Sequence, residues 1–436
     1  MAVLFLVGLA LIATEHKSKL DKGAVALVLA FILWSMVALL GGHSKEELKA
    51  HLGHTTMEVA QIVLFLLGAM TIVEMVSLHG GFDIITKKLS KIRSKAKLLV
   101  ISCVLTFFLS ALLDNMTITI VMAVILRGVF LRKEQEQDRF LFTGMVVLAA
   151  NAGGAWSPMG DVTTTMLWVG DKVSALKLIQ FLLIPSLICM LVPLGVQVMR
   201  MWGQEVVSSP TENGNGKVVP GAWIILTVGI GGLLAVPALK VLTGLPPFMC
   251  MLFSLGLLWV TAEVVHKGDA HLTPADAEAH NHGEKKLSVA KALERIGMPS
   301  ILFFAGILLA VGALQAEGLM VSLAELFSLS LELAPEEVAF VLGLLSGGVD
   351  NVPLTAASMG MYNLPMDDPF WHSLAYCVGT GGTLLIIGSA AGVVVMSKKG
   401  QDGKEEGIPF FWYALRIGPM ALLGYFSGYG VLLLLE

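Results

Sequence analysis

The sequence predicts an all-α polytopic membrane protein made of two inverted repeats. Of its 436 residues, 56% are hydrophobic and only 14% are charged, whereas soluble proteins carry about 25% charged residues. Apolar runs recur along the whole chain with short polar breaks between them. Helices satisfy every backbone hydrogen bond within a bilayer, while a β-barrel would need alternating runs of about ten residues that this chain lacks.

We expect about ten transmembrane helices and two re-entrant hairpins. The apolar regions 98–130 and 336–365 are each interrupted near the middle by Asp-Asn. Neither half of these regions reaches the roughly 20 residues that a spanning helix needs, so both are predicted to be hairpins. The predicted spans are 2–13, 24–40, 58–78, 141–169, 178–198, 222–238, 246–262, 299–316, 371–396 and 411–435.

Basic residues orient these elements, because Lys and Arg gather in cytoplasmic loops. Basic residues at 87–97 and 127–139 flank the first hairpin, and a hairpin keeps both groups inside. Counting the predicted membrane crossings from this point places the loop 263–297 and the lysines at 398–404 inside, and the second hairpin outside. Both termini are then predicted on the outer side of a cell (inner) membrane.

The two halves repeat the same order of elements. "SALLDN" at 110–115 matches "SGGVDN" at 346–351, and the glycines at 153–160 match those at 381–388. Each half has an odd number of crossings, so the second half is expected to be inverted, as in secondary transporters. The predicted domains are a first repeat at 1–202, a linker at 203–220 and a second repeat at 221–436.

Two predicted spans, 141–169 and 371–396, should be discontinuous helices. "NAGGAWSPMGDVTTT" at 151–165 and "GTGGTLLIIGS" at 379–389 contain the glycines, and the first also a proline, that disfavour a regular helix. Unwinding frees carbonyl groups, which a membrane tolerates against protein or around a cavity. The expected backbone ligands are Gly153, Gly154, Gly381 and Gly382.

Polar side chains gather at the two hairpin tips and the two helix breaks. These segments contain no Lys or Arg, so their oxygen atoms and negative charge predict a small hard cation. Capping of the following helices by Asp114 and Asp350 is the alternative, yet Ser or Asn would cap without the desolvation cost of a carboxylate. The predicted ion- or proton-binding residues are Asp114, Asn115, Thr117, Asn151, Ser157, Asp161, Thr163, Asp350, Asn351, Thr380 and Thr383, with sodium expected near the three aspartates.

Glu74 is a further acidic residue in an apolar run, either at the membrane interface or on a proton path. The histidines between 263 and 297 are spaced irregularly among acidic residues. A solvated connector is therefore the preferred interpretation of that loop, with metal binding or pH sensing as the alternative.

Five segments together resemble the NhaD-type sodium/proton antiporters: Glu15-His16, "SALLDNMT", "NAGGAWSPMGDVTTTMLW", "GGVDNVPLTAA" and "GTGGTLLIIGSAAG". The wider superfamily includes sodium-coupled dicarboxylate carriers with Ser-Asn-Thr at the hairpin tips, where this chain has Asp-Asn twice. That departure favours an antiporter. The resemblance implies a homodimer in which hairpins and broken helices move against a fixed scaffold, an elevator mechanism.

The expected function is exchange of sodium for protons, with lithium as a second candidate cation. Sodium and protons would compete for the same buried carboxylates, and no cofactor or nucleic acid is expected. The alternative is a sodium-coupled symporter of a small carboxylate or other anion, whose substrate would need half-helix N-termini as its dipolar partner. A channel and a membrane enzyme are disfavoured, because no continuous pore, nucleophile, metal motif or cofactor fingerprint is evident.

Overall fold

The computed structural model describes residues 1–13, 20–81, 89, 92–130, 135–205, 221–267, 289–296, 298–325, 332–396 and 407–435. Within these ranges the elements are helices, apart from one isolated β-bridge between Ser94 and Glu205. Glu15-His16, nearly all of the linker 203–220 and most of the loop 263–297 lie outside the described residues, as do several of the basic residues used for orientation.

Each predicted hairpin and each predicted broken span consists of two consecutive helices. The first half contains Ala2–Ala13 (α1), Lys22–Leu40 (α2), Lys45–Leu78 (α3), Lys95–Ser110 (α4), Asn115–Val129 (α5), Glu136–Ala155 (α6), Val162–Val169 (α7) and Ala175–Arg200 (α8). The second half contains Ala222–Thr243 (α9), Pro247–Lys267 (α10), Val289–Arg295 (α11), Met298–Ala316 (α12), Leu319–Glu325 (α13), Pro335–Leu345 (α14), Asn351–Met361 (α15), Pro369–Gly381 (α16), Ala390–Met396 (α17), Phe410–Arg416 (α18) and Gly418–Leu435 (α19).

Seven of the described helices are long and apolar enough to cross a bilayer: α2, α3, α8, α9, α10, α12 and α19. The prediction of a polytopic, helical membrane protein is therefore confirmed. The other predicted spans differ in kind, because 2–13 is a helix of 12 residues while 141–169 and 371–396 are interrupted. The count of about ten crossings stays a prediction.

The chain forms two compact units. The first consists of Met1–Ala60, Ile92–Ser208 and Pro299–Glu436, and the second of Gln61–Lys91 and Ser209–Met298. In the first unit, α4 and α5 pack on α6, α14 packs on α16, and α8 packs on α19. In the second unit, α9 packs on α10, where Ser254 Oγ donates a 3.0 Å hydrogen bond to the Gly232 carbonyl. The predicted repeats, 1–202 and 221–436, divide the chain in another way and stay a prediction.

Both runs that were predicted to unwind are interrupted, although the first interruption begins later than expected. Gly153 and Gly154 are still helical, since α6 continues to Ala155 and α7 begins at Val162. Pro158 lies in the gap, where its lack of a backbone N–H disfavours a continuous helix. In the second run, Gly381 is the last helical residue of α16 and the interruption extends to the start of α17. Gly153, Gly154 and Gly381 therefore precede the breaks, whereas Gly382 is the first residue of the second break.

These glycines allow a close approach between backbones instead. A Cβ atom at Gly153 would collide with the carbonyl oxygen of Phe107 in α4. In the second half, a Cβ atom at Gly381 would collide with the carbonyl oxygen of Gly343 in α14. Each interrupted helix thus contacts the first helix of its hairpin at a distance that only glycine permits.

A serine hydroxyl joins each hairpin to the same interrupted helix. Ser110 Oγ donates a 2.6 Å hydrogen bond to the Ala150 carbonyl. Ser346 Oγ donates a 3.0 Å hydrogen bond to the Val378 carbonyl. Ala150 lies three residues before Gly153, and Val378 lies three residues before Gly381. The same contact therefore recurs at matched positions of the two halves.

Alanine at Gly153 or Gly381 should destabilise the protein by about 1–3 kcal/mol, because backbone atoms must move to accommodate the methyl group. The half-denaturation temperature of each variant in detergent, followed by size-exclusion chromatography, measures this loss. The control is Gly195→Ala in α8, where no atom lies within 4 Å of the added Cβ. Equal temperatures for all three variants would contradict the proposed close approach.

Candidate functional site

The hairpin tips and the helix interruptions all belong to the first compact unit. Asp114 lies between α4 and α5 and Asp350 lies between α14 and α15, while Asn115 and Asn351 are the first residues of α5 and α15. The Asn115 N–H donates a 3.1 Å hydrogen bond to the Gly160 carbonyl, and the Asn351 amide donates to Asp161, so both tips contact the residues that directly precede α7. The three aspartates predicted from the sequence therefore belong to one cluster.

Asp161 is a carboxylate removed from water. The residue is only 3% exposed, and its extended backbone (φ −143°, ψ 149°) ends the interruption before α7. Asn351 Nδ2 donates to its carboxylate, at 3.0 Å to Oδ2 and 3.4 Å to Oδ1. Among the described residues, none of the ion pairs includes Asp161. A buried carboxylate with a neutral partner favours binding of a cation or a proton.

Asn151, on α6, joins the first hairpin tip to the second interruption. Its side-chain oxygen accepts a 3.1 Å hydrogen bond from Asn115 Nδ2. Its side-chain nitrogen donates to Thr383 Oγ1 and to Ser389 Oγ, both at 2.9 Å. Because both amide hydrogens and the amide oxygen are engaged, this fully buried group has a satisfied hydrogen-bond set.

Asp114 and Asp350 both cap helices. Asp114 Oδ2 accepts hydrogen bonds from the backbone N–H and the hydroxyl of Thr117, at 3.2 and 3.1 Å. Asp350 Oδ1 accepts from the Val352 N–H at 3.2 Å, while its Oδ2 lies 3.4 Å from Lys22 Nζ. Asp161 also stands at a helix start but makes no side-chain cap bond. Capping alone therefore does not account for Asp161.

The other predicted side chains fall into two groups. Thr163 is fully buried, and its hydroxyl has no hydrogen-bond partner in the described part of the chain. Such a buried orphan hydroxyl calls for a further ligand. By contrast, Ser157 donates to the Ala111 carbonyl at 2.5 Å and Thr380 donates to the Tyr376 carbonyl at 2.6 Å. These two hydroxyls stabilise the local backbone.

Two of the differences between the halves bear on this site. Asn151 in the first half corresponds to Gly379 in the second, and Asp161 corresponds to Ser389. The Asn151 amide reaches Ser389, whereas a Cβ at Gly379 would lie 3.5 Å from Asp161 Oδ2. The glycine thus leaves one side of the Asp161 carboxylate without a covering side chain. Sequence reasoning missed Gly379, although aligning "NAGG" with "GTGG" pairs it with Asn151.

Glu74 belongs to the second compact unit, on α3. Its Oε1 atom lies 3.5 Å from Arg295 Nη1, and its side chain is 23% exposed. The arginine supplies a counter-charge for this partly buried carboxylate. A role for Glu74 in a proton path stays a prediction.

Comparison with known proteins gives matches over nearly the whole chain. The model of the family described as "Citrate transporter" matches residues 9–371. "Sodium/proton antiporter 1" of Arabidopsis thaliana is 41% identical over 432 residues, which cover 98% of this chain and 71% of the relative. "Sodium/proton antiporter 2" of the same plant is 40% identical over 434 residues, which cover 98% and 97%.

A bacterial relative has the name of the NhaD branch of these antiporters. The "Na(+)/H(+) antiporter NhaD" of Alkalimonas amylolytica is 29% identical over 446 residues, which cover 98% of this chain and 88% of the relative. The chain belongs to the NhaD-type sodium/proton antiporter family. This confirms the resemblance seen in the motifs, and it makes the NhaD-type chain a membrane transporter and not an enzyme.

Replacing Asn151 by Ala should destabilise this NhaD-type protein by about 1–3 kcal/mol, because Asn115, Thr383 and Ser389 lose a buried hydrogen-bond partner. The half-denaturation temperature in detergent measures the effect. Asn363→Ala, at an exposed position of the same unit, serves as the control. A fall no larger than that of the control would contradict the central place of Asn151 in the network.

Proposed function

We propose that this protein exchanges sodium for protons, with Asp161 as the carboxylate for which the two ions compete. The observation that carries the proposal is a carboxylate only 3% exposed, at a helix interruption, with a neutral amide as its hydrogen-bond donor. The names of the relatives, sodium/proton antiporters, support the same exchange. The transported ions suffice for this function, so no cofactor is proposed.

Competition at one carboxylate is enough to couple the two ions. Burial disfavours the charged form of a carboxylate, so either a proton or a cation must neutralise it. A carrier that moves its site across the membrane only in a neutralised state then exchanges one ion for the other. Asp114 lies in the same cluster and is proposed to share in this competition.

Neutral oxygen atoms near Asp161 are proposed as further ligands of the cation, in addition to the carboxylate. The orphan hydroxyl of Thr163, two residues away in sequence, is the first candidate. The carbonyl groups of residues 156–161 are proposed as backbone ligands in place of those of Gly153 and Gly154, because these two glycines are helical. Hard cations prefer oxygen ligands of this kind, so lithium is proposed to compete with sodium.

We further propose that the two halves, 1–202 and 221–436, are inverted repeats joined by the linker 203–220. The support is the recurrence of the glycine and serine contacts at matched positions. The hairpins 98–130 and 336–365 would then enter the bilayer from opposite faces, with both termini on the outer side of the cell (inner) membrane.

Hairpins and interrupted helices are proposed to move together as a transport domain in an elevator mechanism. The contacts that join α4 to α6 and α14 to α16 support such a domain, because they tie each hairpin to its interrupted helix. A homodimer would provide the fixed scaffold against which this domain moves.

A sodium-coupled symporter of a small carboxylate or other anion is the second candidate, and the family description "Citrate transporter" favours it. An anion site needs a cationic or dipolar partner, yet the four segments contain no Lys or Arg. Lys22, near the second tip, faces the carboxylate of Asp350. Relatives that match over nearly the whole chain are named antiporters, so exchange is better supported.

Asp161→Asn should abolish sodium-driven proton flux, because the amide binds no proton at this site and cannot balance the charge of sodium. Everted vesicles with a pH-sensitive dye measure the flux. The control is Asp171→Asn, which removes an exposed carboxylate just after α7 and should leave the flux intact. Wild-type flux in Asp161→Asn would overturn the assignment, and sodium-stimulated uptake of labelled citrate or succinate would support the symporter.

Gly379→Ala should raise the apparent KM for sodium by about three- to tenfold, equivalent to about 0.7–1.4 kcal/mol of binding energy. The added methyl group would lie 3.5 Å from Asp161 Oδ2 and cover one side of the carboxylate. Initial rates at several sodium concentrations separate KM from the maximal rate. Gly430→Ala, with no atom within 4 Å of its Cβ, is the control. Equal KM values for the two variants would contradict the proposal that sodium reaches Asp161 on the side of Gly379.

A further inference from the structure

We propose that Lys22 is the built-in counter-ion of Asp350, and that Asp350 therefore does not take part in ion exchange. This inference rests on the proposed sodium/proton exchange and sharpens it. Exchange would depend on Asp161 together with Asp114. The role of Asp350 would be to hold the second hairpin tip and Lys22 in place, which makes both of them positioning residues.

Contacts from two directions fix the Lys22 ammonium group. Its Nζ atom lies 3.4 Å from Asp350 Oδ2 and 4.5 Å from the centroid of the Phe303 ring. The two side chains of the ion pair are only 17% and 12% exposed. A partly buried pair is screened less by water than a surface pair, so each charge depends on the other.

Lys22 is positioned by the start of α2. Asp21 caps this helix, and its Oδ1 atom accepts from the N–H groups of Gly23 and Ala24 at 2.8 and 3.3 Å. The neighbouring carboxylate of Asp21 is thus engaged with the helix start. A Cβ at Gly23 would lie 3.0 Å from the Pro299 carbonyl, so α2 meets the start of α12 closely here. The lysine therefore projects from a fixed helix end.

The three aspartates of the cluster differ in how their charge is balanced. Asp350 has a cation on one carboxylate oxygen and a backbone N–H on the other. Asp114 has the N–H and hydroxyl of Thr117, and Asp161 has the amide of Asn351. Within the described residues, ion pairing therefore balances the charge of Asp350 and leaves that of the other two to an exchanged ion.

The two possible roles of Asp350, as the ion-pair partner of Lys22 or as a ligand of sodium, predict different results. Asp350→Asn alone would remove the carboxylate 3.4 Å from Lys22 and add one net positive charge at the tip that contacts Asp161 through Asn351. This charge repels sodium and should raise its apparent KM about fivefold or more. Lys22→Gln combined with Asp350→Asn removes both charges and should return the KM to within about twofold of wild type. If Asp350 held sodium itself, the defect would persist in the double variant.

The experiment measures the apparent KM for sodium and the maximal rate in reconstituted proteoliposomes for wild type, Lys22→Gln, Asp350→Asn and the double variant. The double variant removes both members of the ion pair, so its net charge equals that of wild type. Lys177→Gln is the control, since Lys177 Nζ lies 3.9 Å from Asp367 in another ion pair of the same unit. Its KM should equal that of wild type.

Recovery of the KM in the double variant supports the counter-ion. A double variant that transports no sodium, or that keeps the raised KM of Asp350→Asn, overturns it. An unchanged KM in Asp350→Asn also overturns it, because loss of the carboxylate that faces Lys22 would then have no effect. Absence of sodium-driven proton flux in the wild type would instead refute the proposed exchange, so the two failures are distinguishable.

Discussion

The contact between interrupted helices and hairpin backbones sets the geometry of the whole site. Gly153 and Gly381 each lie against a hairpin carbonyl, where any side chain would collide. This approach brings the Asp-Asn tips beside the helix interruptions. Asn351 of one half can then reach Asp161 of the other. Polar groups far apart in sequence therefore meet because small residues permit backbones to touch.

The two halves share this framework but use it differently. In one half an amide, Asn151, fills the space opposite a serine hydroxyl and satisfies both groups. In the other half Gly379 occupies the matched position, so that residue places no side chain beside the Asp161 carboxylate. The hydrogen bonds of the Asn151 amide are thus all satisfied, whereas the charge of Asp161 has only a neutral amide as its partner in the described structure. The halves share their backbone contacts, and the differences at these two matched pairs leave one carboxylate, Asp161, beside a glycine.

Much of this arrangement follows from the sequence, because the membrane makes local signals strong. Charged residues and glycines inside apolar runs have few roles in a bilayer, which is why the hairpin tips and both interruptions were predictable. The residue at which the first break begins was not, since sequence cannot tell a glycine that ends a helix from one that admits a neighbouring backbone. The Lys22–Asp350 pair was also missed, because 328 residues separate its members and a lysine at a span end usually indicates an interface.

The electrostatics of the cluster explain why the carboxylates must be unequal. Three unbalanced negative charges in a low-dielectric site would repel one another, and each would carry a desolvation cost. The ammonium of Lys22 beside Asp350 and the Thr117 donors at Asp114 reduce these costs within the chain itself. Asp161 has the neutral amide of Asn351 and no cation within the described structure, so a mobile ion is proposed to balance its charge. In the proposed exchange, the fixed cation beside Asp350 leaves sodium and protons to compete for Asp161 and Asp114.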